Sequence, residues 1–507
     1  MSLMNLSALI LILASSGVVL VYISGALFWR RVPRPGQPDL RTSLLWGGLS
    51  LLLILLSACG DSGQATTGQS TPTSGSQVLT VAPQQNAASP TPVSGEVDWT
   101  TYHLNNQRTG YRAGTPDPHA LLKSWSMQLD GAVYAEPLVV GNHVVVATEG
   151  DSLYALDPAS GRVQWHTRVG TPVPQSTLPC GNIDPLGITG TPVYDPATGL
   201  VFAVAEIMGP GHILVGVDVN TGQIKVRRSA DADGMDPRAH QQRAALTLAH
   251  GMIYVPYGGL DGDCSDYIGR VVASRTDGQG SLLAYRVPTP REGGIWAPPG
   301  ASVDASGNLY VAVGNGEITQ GNWDHSDSIL KLSPTLHLLD AFAPGNWAAE
   351  NAGDVDLGSQ GPVLLPNDFL FSAGKSGKGY ILHSNALGGV GGQVSSQEVC
   401  RSFGGAATVG MTIYAPCTDG VLQITVDANG QMHRGWQAPG NIVGSPVVGG
   451  NTVYCASNDT LYALNRANGQ VVASLHVGTV NRFATPTISG TTVFVGTYAG
   501  IVAVRIA

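Results

Sequence analysis

Charge is scarce in this chain: Asp, Glu, Lys and Arg make up 12% of the 507 residues, and the acids prevail for a net charge of -9. Residues 98–507 contain no Lys/Arg run able to neutralise a phosphate backbone, which excludes a nucleic-acid partner. His-Glu-x-x-His and Gly-x-Ser-x-Gly are both missing, and with them the zinc-protease and nucleophile-elbow signatures. Gly374-Lys375-Ser376 has the tail of a phosphate loop, but Phe369 stands where the first Gly belongs, so this is a hairpin turn.

Glycine, in contrast, is abundant at 66 residues, and one unit keeps returning. It reads Leu153-Tyr154-Ala155-Leu156-Asp157-Pro158-Ala159-Ser160-Gly161, and later Leu461-Tyr462-Ala463-Leu464-Asn465-Arg466-Ala467-Asn468-Gly469. Each copy is an alternating apolar strand ending in Asp or Asn, with Gly four residues on to supply the left-handed residue of a hairpin turn. Two strands precede each copy, as in Ser445-Pro446-Val447-Val448 and Thr452-Val453-Tyr454-Cys455, and a fourth follows, carrying Trp165 in the first unit. Inner strands are expected near Pro137, Pro192, Ala244, Ala301, Pro362, Ala406, Pro446 and Pro486. Four-stranded units about 40 to 50 residues apart predict an all-β, eight-bladed β-propeller over 98–507. The eighth unit stops at 501–507 without an outer strand, while Lys123-Ser124-Trp125-Ser126-Met127-Gln128-Leu129 is an unpaired strand before the first. Together they predict a ring closed by its own two ends.

These copies resemble the pyrroloquinoline-quinone (PQQ)-like repeat of quinoprotein-type propellers, whose blades carry Leu-Tyr-Ala-Leu-Asp, Thr or Ser before Gly, and a docking Trp. The likeness is clear in the first two and last two blades. It is degenerate in the middle, where Leu283-Ala284-Tyr285-Arg286 and Ile329-Leu330-Lys331-Leu332 stand in third-strand positions. It implies a fold and no chemistry, since the family holds quinone enzymes and also a lipid-anchored propeller of the outer-membrane assembly machinery.

Residues 6–29 form an apolar run of bilayer-spanning length, followed by Arg30, Arg31, Arg34 and Arg41 and a second run over 44–56. That run ends in Leu56-Ser57-Ala58-Cys59-Gly60, which resembles a bacterial lipoprotein signal with Cys59 as the lipidated residue; a second membrane helix is the alternative. Residues 1–59 therefore read as membrane segment and anchor, and 60–97 as a flexible Gly/Ser/Thr/Gln/Pro linker. The expected location is the cell membrane, with a monomeric propeller on its extracytoplasmic side. Whether residues 1–31 are translated, or synthesis starts near Val32, stays open.

Five further cysteines suit an oxidising compartment. Blade topology puts Cys400 and Cys417 on one rim and Cys180 and Cys264 on the same rim, predicting these two disulfides. Cys455, inside a strand, reads as a buried free thiol.

Connections on that rim swell at 171–187, 231–243, 258–269, 315–327 and 343–360, all on blades two to five, and predict an asymmetric binding site there. His240-Gln241-Gln242-Arg243 enters an innermost strand and is expected to face the central funnel. Gln242 and Arg243 suit a carboxylate or sugar hydroxyls and His240 suits a base; hydrogen bonding to neighbouring loops is the alternative. Trp296 reads as packing between blades, and Trp323 is left open. Asp231, Asp233 and Asp236, like Asp261, Asp263 and Asp266, have calcium-like spacing, yet Gln242 and Val272 occupy the position where an EF-hand needs Glu.

Two functions fit. One is a non-catalytic binding or scaffold protein that takes a protein or glycan ligand at the rim, with neither cofactor nor catalytic or metal-binding residues. The other, implied by the resemblance, is a PQQ-dependent dehydrogenase of an alcohol or sugar, using PQQ and Ca2+, with Arg243, Lys375, Lys378 or Arg401 pairing with the quinone carboxylates. Alcohol-oxidising members carry two adjacent cysteines against the cofactor; this chain has no such pair, and their metal-binding Glu, Asn and Asp find no matching positions. Binding is therefore preferred over catalysis.

Overall fold

Apolar strands bury both faces wherever two blades sandwich them, and this rule organises residues 98–507, the part of the chain described by the computed structural model. In blade one, Leu138–Val140, His143–Thr148 and Ser152–Leu156 are buried almost throughout, while the outer strand Val163–Arg168 alternates between solvent and core. The same antiparallel order restarts at Val193–Asp195, Thr247–Ala249, Ser302–Val303, Val363–Leu364, Ala407–Val409, Val447–Gly449 and Thr487–Ser489. Eight sheets result among the described residues, as the repeat predicts. The expected membrane runs, Cys59 and the linker lie outside these residues. Within them, no helix is long and apolar enough to cross a membrane.

One strand assignment needs correction. Leu283–Arg286 is the outer, fourth strand of blade three, and the third is Arg270–Arg275. Val271, Val272 and Ala273 are buried in succession, so the true third strand lacks the alternation that a half-exposed strand shows.

The ring closes through its ends. Leu121–Gln128 runs antiparallel to Gly500–Ile506, from Leu121 opposite Ile506 to Gln128 opposite Gly500, and becomes the fourth strand of blade eight. No blade is left with an open seam.

Neighbouring blades dock through Trp and Gly. Trp125, Trp165 and Trp436, each on an outer strand, donate their indole N–H to the carbonyls of Pro158, Val219 and Arg466 in the next blade, at 2.9, 2.7 and 2.9 Å. Beneath the rings lie Gly161, Gly222 and Gly469, where an added Cβ would approach the indoles to 2.5, 2.9 and 2.4 Å. The repeat thus needs Gly twice over, for its left-handed turn (φ +72°, +73° and +72°) and for the space the Trp occupies.

Residues 98–112 form a plug across the channel, a feature without a sequence signature. Backbone hydrogen bonds join it to the inner strands around the ring: Trp99 with Val139, Thr100 with Tyr194, Asn106 with Val303, Gln107 with Leu364, Thr109 with Thr408 and Gly110 with Val448. Tyr111–Arg112 then pairs in parallel with Val447–Gly449. Arg108, 1% exposed, donates to the Thr101 and Thr247 hydroxyls at 2.7 Å and to the carbonyls of Tyr102, Leu246 and Ala301. Burial still lowers the pKa of this guanidinium, and the five acceptors offset part of that desolvation. The channel is closed from below.

Cys180–Cys264 and Cys400–Cys417 are disulfide-bonded, and Cys455 is a buried free thiol. The first bridge ties the 171–187 loop to the 258–269 loop and is partly exposed; the second is buried.

Candidate functional site

Links between blades and turns between second and third strands emerge on the rim away from the plug. There they ring a cavity of about 330 Å³, at the small end of ligand sites. Its wall comes from segments far apart in sequence: Tyr134 ahead of blade one, Arg243 ahead of blade three, Trp296 ahead of blade four, Phe403 ahead of blade six, Phe483 ahead of blade eight. The wall therefore reaches blades one, six and eight as well and is not confined to the long loops of blades two to five.

Arg243 and Phe483 enter blades lying across the ring, so their contact spans the funnel axis. The guanidinium carbon of Arg243 sits 4.9 Å from the Phe483 ring centre and 5.7 Å from that of Trp296. No carboxylate or carbonyl among the described residues accepts a hydrogen bond from it. Burial pulls its pKa down, opposed by Tyr134, Asp261 and the carboxylates of Glu149 and Glu206. Arg482 repeats the pattern on the wall, with its guanidinium 3.9 Å over Phe403 and no acceptor among the described residues. Cations parked on aromatic faces keep their N–H edges free for a ligand.

The opposite wall is already paired. Lys375 reaches Asp354 at 2.7 Å and Asp356 at 2.5 Å; burial alone would lower its pKa, but the two carboxylates hold it raised. Asp356 also accepts the Asn315 backbone N–H at 2.7 Å, and the Asn315 amide donates to Glu292 at 3.3 Å, while Arg291 holds the other oxygen of Glu292 at 2.5 Å. Tyr267 donates its hydroxyl to Asp263 at 2.6 Å.

Of the residues the sequence singled out, Arg243, Lys375, Asp261 and Asp263 line the cavity. His240 and Gln242 do not: they are 3% and 1% exposed, with the His240 ring bonded to the Asp236 carbonyl at 2.8 Å and to the Ile268 backbone. The Gln242 amide donates to the Ala244 carbonyl at 2.5 Å. These two pack the loops: His240 begins the short added strand His240–Gln241, which pairs with Gly259 and Gly258, and Gln242 follows it with its backbone N–H donated to Glu206 at 2.7 Å. Arg401 is exposed beside Arg482, whose pKa burial and then Arg401 both lower. Lys378 lies outside the lining. Trp296 corrects the expectation of packing between blades, since it faces the funnel edge-on to Phe483 at 6.4 Å. Trp323 is part-buried against the core of blades three and four and donates to the Ser326 carbonyl.

Phe403, Asn315, Arg482 and Phe483 were missed by sequence reasoning. Phe403 and Phe483 each stand three residues before an inner-strand start, at Ala406 and Pro486, and that offset was the available signal.

A metal-assisted quinone fits this wall poorly. Arg243 lies over the indole of Trp296, which would have to be the stacking floor, and Glu292 and Asp356 are neutralised by Arg291 and Lys375. Among the described residues no three His, Cys, Asp or Glu are placed to hold a metal ion.

Residues 122–302 match the family model described as outer membrane protein assembly factor BamB. Among solved structures, the chain is similar to a europium-containing methanol dehydrogenase at 15% identity, with a TM-score of 0.64, over 81% of this chain and 98% of that one. It is also similar to the quinohemoprotein alcohol dehydrogenase ADHIIG of Pseudomonas putida HK5 (15% identity, TM-score 0.62, 81% and 80%). BamB of Moraxella catarrhalis is a third (14% identity, TM-score 0.54, 76% and 100%). No curated protein matches. At these identities the likeness concerns the fold, which is a propeller of PQQ-like repeats.

Proposed function

For a propeller of PQQ-like repeats with this rim, we propose a non-catalytic role: a monomeric binding or scaffold protein, tethered by residues 1–97 to the outside of the cell membrane, that receives a ligand at the funnel mouth. The observation that carries this reading is Arg243, a guanidinium reaching across the axis of a blind funnel with aromatic rings beside it and no acceptor among the described residues. Catalysis needs groups poised to move protons or electrons, whereas the carboxylates of Asp356 and Glu292 are already committed to cations.

The test is a photo-crosslinking residue placed at Tyr498, which is 45% exposed at the funnel mouth, or at Val471 on the outer strand of blade seven. A ligand or partner captured through position 498 and absent at 471 supports the reading. Capture only on the outer strand overturns it.

The second reading, a PQQ- and Ca2+-dependent alcohol or sugar dehydrogenase, is favoured by Trp296 in the funnel and by the fold likeness to quinone enzymes. Arg243 and Lys375 would then meet the quinone carboxylates, but only after Arg243 leaves the Trp296 face and Lys375 leaves its two acids.

A further inference from the structure

We propose that the ligand is a monocarboxylate with an aromatic or apolar body, entering end-on so that its carboxylate is taken by Arg243. This deepens the binding role above and rests on it. The end-on entry follows from shape, because the plug of residues 98–112 closes the channel below and leaves a single mouth. A folded partner cannot fill such a cavity, but a chain end or a small acid can.

The sign follows from the unmet donors. Among the described residues Arg243 makes two aromatic contacts and no hydrogen bond or ion pair, so its planar fork is presented for a bidentate acceptor. A carboxylate that reaches it replaces the solvent around a partly buried guanidinium with a charge-assisted pair flanked by aromatic rings.

The number of charges follows from the rest of the lining. Three cations, Arg243, Arg482 and Lys375, face three carboxylates, Asp261, Asp263 and Asp356. Lys375 is occupied by Asp354 and Asp356, so the free positive charge lies at Arg243 and Arg482. Arg482 is solvent-exposed, so the one partly buried cation of the funnel without an acid partner among the described residues is Arg243, and it matches one negative charge. A phosphate or a tricarboxylate would place its additional charges beside Asp261 and Asp263.

The body is set by the rings above Arg243. Trp296 and Phe483 meet edge-on at 6.4 Å, and Tyr134 and Tyr498 at 5.7 Å, forming aromatic walls on two sides. These walls suit a benzyl-like or branched apolar group held against ring faces.

The experiment is calorimetric titration of the purified protein with N-acetyl-L-phenylalanine and its amide, then with a short peptide ending in Phe as free acid or amide. Citrate and inorganic phosphate serve as polyanion probes. The acid is expected to bind roughly tenfold to a hundredfold more tightly than the amide, the range for one hydrogen-bonded charged partner. Arg243→Gln is expected to erase that difference while lowering the melting temperature only slightly, since the two cation–π contacts are all it gives up among the described residues; Arg482→Gln gives a second variant in which the acid preference narrows. Preference for the acid in the peptide pair alone makes a chain terminus the source; preference in both pairs admits small acids too. Equal binding of acid and amide, a preference that survives Arg243→Gln, tighter binding of citrate or phosphate, or no binding of any probe overturns the proposal. In each of those cases, capture of a partner at position 498 leaves the binding role standing.

Discussion

Gly469 lies so close beneath the Trp436 indole that a Cβ there would fall 2.4 Å from the ring. The same arrangement joins Gly161 to Trp125 and Gly222 to Trp165, so the glycine that marks each clear repeat is also a docking point between blades. Gly469→Ala is expected to destabilise by about 2–4 kcal/mol, the left-handed backbone and the overpacked ring contributing together. Gly199 has the same φ of +72° with nothing within 4 Å, so Gly199→Ala isolates the backbone part. Denaturant unfolding should show the Gly469 variant clearly less stable than the Gly199 variant; equal losses would deny the docking role.

Arg108 anchors the plug, and its fork serves five acceptors drawn from the plug and from the links and inner strands of blades three and four. Arg108→Met leaves buried carbonyls and hydroxyls without a donor, an expected loss of about 3–5 kcal/mol. Arg108→Lys should rescue little, because one ammonium cannot span donors pointing to both sides. Protection of plug amides in hydrogen exchange reads the effect locally: it should collapse over 98–112 before the blades open.

Glu149 and Asp151, at the turn of blade one, are pushed up to about 8, burial being the main cause, with Glu206 adding repulsion. Asp130 also repels Asp151, and Arg168 and Arg227 oppose the shift. His212 would be lowered by burial, but Glu206 and Asp231 outweigh this and hold it at about 9. All three groups bind protons more tightly folded than unfolded. Their contribution to stability is complete below the unfolded values and is lost as pH rises through 8 and 9. His103, held down to about 3 by burial, acts oppositely, but only below its unfolded value of 6.5. The melting temperature should therefore fall by several degrees between pH 6.5 and 9, and Glu149→Gln with Asp151→Asn should flatten that slope.

Blade number, ring closure and both disulfides were legible because they follow from local patterns repeated at a fixed period: alternation, Gly turns and the positions of Cys relative to strands. The plug was not. Its bonds are single backbone contacts from Thr100, Asn106, Gln107 and Thr109 to blades two, four, five and six, and such contacts require no alternation or turn signal. The funnel was half legible. Arg243 stood out as a charge before an inner strand, but Phe403 and Phe483 reach the same axis from residues 160 and 240 positions further along, and only ring closure brings them together. Leu283–Arg286 misled for a related reason. Outer strands alternate, whereas the sandwiched Arg270–Arg275 does not, so the more strand-like pattern belonged to the more exposed strand.

The most direct test of the central claim, that this funnel binds and does not oxidise, is dye reduction by the purified protein supplied with PQQ and Ca2+ and offered a panel of alcohols and aldoses. No turnover above the protein-free background is expected with any substrate. Turnover that disappears in Asp356→Asn or Trp296→Ala would contradict it and make the funnel a quinone site.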